Sequence, residues 1–348
     1  MADATYLWYL HQPASARWLK RELAARRSDL RFAFSRPGLP TFKVDAARVD
    51  EPAASSFARA WGRSLGRATT PEEVVALGAA LGEAPLRLHV FERDLDRPAD
   101  ERDATVAGAR AAALERALRA AAPDRFLIGT EAHAGERVLD VIVAPAEEDD
   151  DGIFVGWHAP DPTRGPWPGG VPHAIIPATA PSRAWAKIEE AIRWSGVVPQ
   201  AGDRVLELGA SPGGMSWALL ERGLEVTGVD PGLVADSVLG YRGRTGNRFT
   251  YLRVSAVEVE RAQIPYPLRW LVSDMNLAPM VALKYIERFT ALAERDLKGA
   301  FLTLKVHDEG IFDALPSLMK RIESLGARTV RYTQLPSHRS ELVAILEW

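Results

Sequence analysis

Apolar runs of strand length alternate with stretches of helical apolar spacing from residue 182 to residue 348. The pattern predicts helices from Ser182, from Gly213, with a poorly defined spacing from Gly232, at 279–295 and at 310–325. It predicts strands at 204–208, 225–229, 250–254, 269–273, 300–306, 329–334 and 341–346. Such alternation is typical of a doubly wound α/β sheet. Because no helix separates the last two strands, we expect them to pair antiparallel.

The first 158 residues show the short strands and few helices of small α+β domains. Before residue 67 the pattern predicts strands at 5–11, 31–34 and 41–44 and a helix at 14–26. Beyond it the pattern predicts helices at 69–81 and 104–122 and strands at 86–93, 137–145 and 152–158. Residues 159–181 are dense in Pro and Gly, which disfavour regular structure. We therefore expect four parts: α+β domains at 1–67 and 68–158, a linker at 159–181, and an α/β domain at 182–348.

The amino-acid composition excludes several kinds of site and reaction. The chain has 348 residues, 47% of them hydrophobic, and no cysteine, which excludes disulfides, thiolate metal sites and cysteine nucleophiles. Its seven histidines lack the sequence spacing of metal ligands, so we expect no metal. No apolar run approaches a membrane span of about 18 residues, and the first 20 residues lack a signal-peptide pattern. We expect a cytoplasmic protein with no membrane contact.

The net charge of −3 conceals an uneven distribution. Residues 1–67 carry 12 Lys or Arg against 6 Asp or Glu, and residues 68–181 carry 10 against 20. The basic first region contains Trp8, Trp18 and Trp61, and it either presents a phosphate-facing surface or buries these rings beneath a solvated arginine face. The acidic run at 147–152 lacks the spacing of a calcium loop and predicts a solvated turn.

A glycine loop follows the first strand of the α/β domain, in VLELGASPGGMSWALL at 205–220. It lacks the Lys of a phosphate-binding P-loop and the G-x-G-x-x-G of a dinucleotide loop. Ligands of open α/β sheets bind at this position, close to backbone N–H groups. Glu207, which ends the strand, disfavours polyphosphate and favours a cation, such as the amino group or sulfonium of S-adenosyl-L-methionine. Asp230, after the next strand, is placed to accept hydrogen bonds from ribose hydroxyls. A structural turn is the alternative explanation.

These residues resemble a known family. LELGASPGG is similar to the first motif of the FtsJ-like RNA ribose 2'-O-methyltransferases, and APSRAWAKIEEA at 180–191 is similar to the preceding segment in members that methylate a cytidine of bacterial large-subunit rRNA. The resemblance covers residues 177–348. It implies a class I methyltransferase sheet, S-adenosyl-L-methionine as cofactor and 23S rRNA or its precursor as partner. For the N-terminal half it is weaker and implies a THUMP-like RNA-binding domain, although the acidic 68–181 region departs from that expectation.

The family uses a Lys-Asp-Lys-Glu tetrad, which the resemblance carries to Lys187, Asp274, Lys305 and Glu341. A ribose hydroxyl must lose its proton as it attacks, so we expect Lys305 to act as base and Lys187 to lower its pKa and hold the substrate. Asp274 would orient the lysine amine, and Glu341 would fix Lys187 or the ribose. His338 is a competitor for the fourth position. The residues expected to bind the cofactor are Glu207, Gly209, Ala210, Ser211, Pro212, Gly213, Gly214, Asp230, Ser255 and Asp274.

Ser255, with Glu258 nearby, stands where many relatives have the Asp that reads adenine, so the adenine contact is unassigned. Methylation of a base amino group is disfavoured because Asp274-Met275-Asn276-Leu277 replaces the [DN]-P-P-[FYW] motif, and carbon-5 methylation needs a cysteine. A non-catalytic RNA-binding assembly factor and a methyltransferase for another RNA remain alternatives. A NAD-dependent oxidoreductase lacks its glycine motif. We expect a monomer.

Overall fold

The structure is a computed structural model that describes residues 5–51, 54–94, 108–146, 148–149, 152–293 and 296–348. The chain divides into two compact units, Met1–His173 and Ala174–Trp348. Each unit contains one seven-stranded sheet. Within the described ranges, none of the helices combines the length and apolar character needed to cross a membrane.

In its described residues, the first unit has a mixed sheet and three α-helices. Its strands are β1 (Thr5–Leu10), β2 (Arg31–Arg36), β3 (Leu39–Val44), β4 (Ala60–Ala68), β5 (Arg87–Glu92), β6 (Val138–Val143) and β7 (Ile153–His158). Its helices are α1 (Ala16–Arg26), α2 (Pro71–Gly78) and α3 (Ala109–Ala121). The strand order is β2-β3-β1-β4-β7-β6-β5, with β5 and β6 parallel. Strands from both sides of residue 67 share this sheet, and the boundary predicted there stays a proposal.

Apolar side chains fill both faces of this sheet. One core, which includes Val74, Leu118 and Leu139, lies beneath α2 and α3, and a second includes Trp8, Phe91 and Ile142. Trp8, Trp18 and Trp61 are all buried. The tryptophans of the basic region are therefore core residues, and a phosphate-facing surface formed by its arginines stays a prediction.

The second unit is a mostly parallel sheet. Its strands are β8 (Arg204–Leu208), β9 (Glu225–Val229), β10 (Phe249–Leu252), β11 (Trp270–Ser273), β12 (Gly299–Lys305), β13 (Thr329–Thr333) and β14 (Glu341–Glu347). Its helices are α4 (Ala184–Ser195), α5 (Gly214–Glu221), α6 (Asp236–Leu239), α7 (Pro279–Ala293) and α8 (Glu309–Glu323). The order is β10-β9-β8-β11-β12-β14-β13, and β14 runs antiparallel to both neighbours. The predicted Rossmann-like methyltransferase sheet is confirmed.

The reversed strand positions the site. The carboxyl ends of β8, β9, β11 and β12 meet at one edge of the sheet because these strands are parallel. The antiparallel β14 begins at that same edge, so its first residue, Glu341, is the direct register partner of Lys305, the last residue of β12. Side chains separated by a helix and a strand in sequence are therefore neighbours across the ladder.

Three elements differ from the sequence pattern. Strand β4 was not predicted, because Gly62 and Gly66 interrupt the apolar alternation of AWGRSLGRA. The helix expected from Gly232 is only the four-residue α6. The described helix α3 begins at Ala109, and 104–107 lie outside the described residues.

Part of the proline-rich segment packs in the first unit, where Arg59 donates to the Gly169 carbonyl (2.9 Å). Of the acidic run, 147, 150 and 151 are outside the described ranges.

Candidate active site

Four side chains of alternating charge close into a ring at the carboxyl edge of the second sheet. The Lys187 ammonium lies 2.9 Å from the Asp274 carboxylate and 2.6 Å from that of Glu341. Lys305 donates to Glu341 at 2.7 Å and lies 3.6 Å from Asp274. We call these four residues the tetrad. The structure therefore brings together all four residues that the family resemblance selected from distant parts of the sequence.

Each tetrad residue comes from an element end or a buried helix face. Lys187 is on the inner side of α4, Asp274 follows the last residue of β11, Lys305 ends β12 and Glu341 begins β14. The side chains of Lys187 and Lys305 are 7% and 18% exposed, and those of Asp274 and Glu341 are 13% and 15% exposed. Lys305 is thus the tetrad member most open to a substrate.

Two cations and two anions balance each other in this partly buried ring, which offsets the cost of removing each charge from water. Burial alone would lower the pKa of the Lys305 ammonium, but the carboxylates of Asp274 and Glu341 outweigh it and the pKa is raised. Burial would likewise raise the pKa of Glu341, yet Lys187 and Lys305 bring it below its usual value. The expectation that the pKa of Lys305 is lowered is wrong in its net direction, because the attraction of the two carboxylates exceeds the effect of burial.

His338 does not replace Glu341 in the ring. Its imidazole is 1% exposed, and burial lowers its pKa to about 3, with Lys187 adding to the effect. The His338 imidazole is therefore neutral at pH 7, so it cannot supply the negative charge that the two lysines require. Glu341, which contacts both ammonium groups, holds the fourth position.

Glu190 is a functional candidate that the sequence pattern did not single out. It lies on α4 and is fully buried, and its carboxylate accepts hydrogen bonds from the backbone N–H (2.9 Å) and hydroxyl (2.8 Å) of Ser337. Ser337 belongs to the turn just before β14. The signal was its position three residues after Lys187, which places both side chains on one helix face.

Helix α4 is also fixed to the helix that follows the glycine loop. Glu189 forms a bidentate ion pair with Arg222 at 2.5 and 2.6 Å, and the Trp185 indole donates to Glu221 at 3.0 Å. Bidentate carboxylate–guanidinium pairs constrain orientation as well as distance. The lysine-bearing helix is therefore locked to α5 on one side and to the turn before β14 on the other.

The glycine loop at 209–214 adopts a backbone that side chains would obstruct. Gly209 has φ +86°, and a Cβ atom there would lie 2.7 Å from the backbone oxygen of Asp274. Gly213 has φ +111°, and its Cβ would lie 2.7 Å from Val238. Both glycines are required by conformation and by close approach. The loop consequently reaches the end of β11, beside the tetrad.

Glu207 lies just below this loop and is 1% exposed. The Ser216 hydroxyl donates to its carboxyl group at 2.5 Å. Burial raises the pKa of Glu207 to about 8, against the opposing effect of that hydrogen bond, and the charges of Asp274 and Asp230 add to the rise. Without a nearby cation the group is therefore largely neutral at pH 7, whereas a bound cation would favour its charged form.

Asp230 holds the loop from the next strand. Its two carboxylate oxygens accept the backbone N–H groups of Ser211 (3.1 Å) and Gly232 (2.7 Å). Ser255, by contrast, donates both its hydroxyl (2.6 Å) and its N–H (2.9 Å) to Glu258. The structure brings the loop, Asp230 and Asp274 to one edge of the sheet, while the Ser255 hydroxyl is engaged by its own neighbour.

Comparison with known proteins shows what the second unit is similar to. A family model described as FtsJ-like methyltransferase matches residues 180–328, which include Lys187, Asp274 and Lys305 and end before Glu341. The ribosomal RNA large subunit methyltransferase M of Thauera aminoaromatica is 29% identical over 188 residues, which cover 52% of this chain and 50% of that protein. The protein of the same name from Alkalilimnicola ehrlichii is 38% identical over 127 residues, 35% of this chain and 33% of that one.

The chain spans about half the length of the curated relatives it matches. Among solved structures, TrmN from Thermus thermophilus aligns with 99% of this chain and 100% of its own, at 15% identity and a TM-score of 0.35. Magnesium protoporphyrin IX methyltransferase from Synechocystis, with bound SAM, aligns with 48% of this chain and 80% of its own, at 14% identity and a TM-score of 0.32. Scores this low single out no relative.

Proposed function

We propose that residues 180–328, which match a family model described as FtsJ-like methyltransferase, transfer a methyl group from S-adenosyl-L-methionine to a ribose 2'-hydroxyl of RNA. The observation that carries this proposal is the closed tetrad of Lys187, Asp274, Lys305 and Glu341 beside the glycine loop. Methyl transfer to a hydroxyl needs a group that accepts its proton and fixed charges near the reacting oxygen. The tetrad contains both.

The residues around the glycine loop fit S-adenosyl-L-methionine better than a nucleoside polyphosphate. Its Gly209–Gly214 backbone has no Lys to neutralise phosphates, and two carboxyl groups, Glu207 and Asp230, face or underlie it. Asp230 would accept ribose hydroxyls and Glu207 would pair with the positive amino-acid end. Backbone N–H groups at 209–214 would contact the remaining polar atoms. The bound cofactor supplies a methyl group activated on a sulfonium.

Lys305 is the proposed proton acceptor for the attacking hydroxyl. It is the most exposed tetrad residue, and it lies at the open edge of the sheet. Since its pKa is raised, the ammonium form predominates at pH 7, and only the neutral fraction can accept a proton. At pH 7, a small fraction of Lys305 would therefore be in the neutral form that accepts a proton. The rate of methyl transfer would increase as the pH rises.

The other tetrad residues position Lys305 and the ribose. Asp274, which lies beside both lysines and beneath Gly209, would orient the amine and border the transferring methyl. Glu341 bridges the two lysines and would hold their separation. Lys187 would donate a hydrogen bond to the ribose oxygen as negative charge develops on it, which lowers the barrier.

The names of the curated relatives support large-subunit rRNA as substrate. We propose a cytidine of 23S rRNA or its precursor as the acceptor, and we propose that the protein acts as a cytoplasmic monomer whose methyl-transfer site needs no metal. Mapping ribose methylation on total RNA from a deletion strain tests the substrate, because one lost site would identify both the RNA and the nucleotide.

Lys305→Ala tests the chemistry. We expect methyl transfer to fall by about 10²–10⁴-fold, the range for loss of a general base, with S-adenosyl-L-methionine affinity unchanged by calorimetry. Lys284→Ala, an exposed lysine on α7, is the matched control and should retain full activity. Substantial turnover by Lys305→Ala would exclude the assigned base. Failure of the wild-type protein to bind the cofactor would instead support a non-catalytic RNA-binding factor.

A further inference from the structure

Three buried polar side chains meet on the sheet of the first unit. His89 on β5 is the register partner of Asp140 on β6, and Asp140 in turn pairs with Gly156 on β7, two residues before His158. The alternation of strand side chains therefore places His89, Asp140 and His158 on one face. They are 0%, 1% and 6% exposed. The atoms with which they could bind a metal lie within 4.8 Å of one another.

The hydrogen bonds of His89 define which of its nitrogens is free. Its Nε2 lies 2.7 Å from the carbonyl oxygen of Thr130, which can only accept, so Nε2 carries a proton. In the neutral ring with its proton on Nε2, Nδ1 is a bare lone pair. That nitrogen is buried and has no hydrogen-bond partner.

The free Nδ1 of His89 points to an unfilled polar position. The facing Oδ1 of Asp140 is 3.8 Å away, too far for a hydrogen bond. Two electron pairs so placed repel each other unless a positive or proton-donating group lies between them. The other Asp140 oxygen is 2.6 Å from Nδ1 of His158. The carboxylate therefore pairs with the His158 imidazole and leaves Nδ1 of His89 without a hydrogen-bond partner.

We propose that His89, Asp140 and His158 bind a divalent transition-metal ion of the Zn²⁺ class. Two imidazoles and one carboxylate are a nitrogen-and-oxygen donor set suited to such ions. An ion about 2.0–2.2 Å from each donor is compatible with the 3.8 Å between the His89 nitrogen and the Asp140 oxygen. On binding, the ion takes the place of the proton between Asp140 and His158, and a neutral His158 ring carries that proton on Nε2 instead.

The guanidinium of Arg164, a cation near Asp140, is directed elsewhere. Arg164 is close enough to Asp140 to feel its charge, but its guanidinium donates to the Trp61 carbonyl and lies 4.4 Å from the Trp61 ring centre. It therefore does not substitute for an ion at Nδ1 of His89. Because the ligands come from three adjacent strands and are buried, the ion would stabilise the sheet of the first unit and would take no part in methyl transfer.

Metal content of the wild-type protein is the first test. The full chain, prepared without a histidine tag, is stripped with EDTA, incubated with Zn²⁺, desalted and analysed by mass spectrometry for bound metal. We expect about one Zn²⁺ per chain and a higher melting temperature than for the stripped protein. A stripped protein that neither retains Zn²⁺ nor changes its melting temperature would overturn the proposal, and the position between His89 and Asp140 would then be assigned to water.

Variants locate the ion. His89→Ala and Asp140→Asn should lose the bound Zn²⁺, whereas His133→Ala, an exposed histidine of the same unit, should retain it. Co²⁺ substituted into the wild-type protein should give the visible absorption of a nitrogen-and-oxygen site, and this absorption should be missing from His89→Ala. Retention of Zn²⁺ by folded His89→Ala would place the ion elsewhere and refute the site. If the variants do not fold, the wild-type measurements still decide.

Discussion

Glu190 and Ser337 connect the helix that carries Lys187 to the turn that precedes Glu341. The Glu190 carboxylate accepts both the N–H and the hydroxyl of Ser337, at 2.9 and 2.8 Å, from a fully buried position. This contact adds to the direct 2.6 Å ion pair between Lys187 and Glu341. We therefore propose Glu190 as a positioning residue.

We predict that Glu190→Ala lowers kcat by about 10–100-fold, since a displacement on the order of 1 Å has that effect on an oriented site. The affinity for S-adenosyl-L-methionine should change little, because the glycine loop is intact. Loss of the acceptor also leaves two part-buried donors of Ser337 without this partner, at a cost of at most about 1–3 kcal/mol of folding stability. Single-turnover methyl transfer and calorimetric cofactor binding separate the two effects.

Ser337→Ala provides the graded control. It removes the hydroxyl but keeps the backbone N–H bond to Glu190, so kcat should fall less than in Glu190→Ala. Equal stability losses with unchanged kcat in both variants would show that the contact is purely structural.

The second prediction concerns pH. Since the pKa of Lys305 is raised by Asp274 and Glu341, its neutral fraction grows about tenfold for each pH unit far below that pKa. If Lys305 is the base, single-turnover methyl transfer should rise with unit slope from pH 7 to pH 9. A rate that levels off below pH 8 would mean that a group of lower pKa accepts the proton.

The third prediction concerns the buried carboxyl of Glu207. Its folded pKa of about 8 lies above the ordinary glutamate value of 4.5, so the folded state holds more protons between these two pH values. Stability from this group is present at low pH and declines as the pH rises through that interval. Glu207→Gln, which cannot ionise, should flatten the decline. Denaturation of the unliganded proteins at pH 5, 7 and 9 measures it, and an identical pH dependence in both would contradict the buried-acid assignment.

The fourth prediction separates conformation from contact in the glycine loop. Gly209→Ala meets both a positive φ and the backbone oxygen of Asp274 at 2.7 Å. Gly202→Ala has a similar φ, +84°, and no atom within 4 Å of its Cβ. Both should lose about 1–3 kcal/mol for the strained backbone, but only Gly209→Ala should also weaken cofactor binding. Equal binding by both variants would exclude a role of the close approach.

The sequence predicted the second unit well because its apolar runs are long and its turns carry strong signals. The tetrad came from motif resemblance, and no local pattern of Lys305 or Glu341 indicates their contact; the β12–β14 register creates it. The sequence did not predict effects that depend on residues far apart in the chain. The pKa of Lys305 depends on carboxylates from two other elements, and His89, Asp140 and His158 lack a ligand motif because they lie on three strands.

Because β14 begins beside the end of β12, the contact between Lys305 and Glu341 does not depend on the length of the chain between these two residues. Lys305 and Glu341 are 36 residues apart, yet their contact is determined only by which rungs of the β12–β14 ladder they occupy. The segment between them can lengthen or shorten without altering the lysine–carboxylate distance. A slip of one residue in strand pairing would turn the Glu341 side chain to the opposite face and leave Asp274 as the carboxylate that both lysines share. The length of 306–340 can therefore change where the β12–β14 register and the contact of Ser337 with Glu190 are kept.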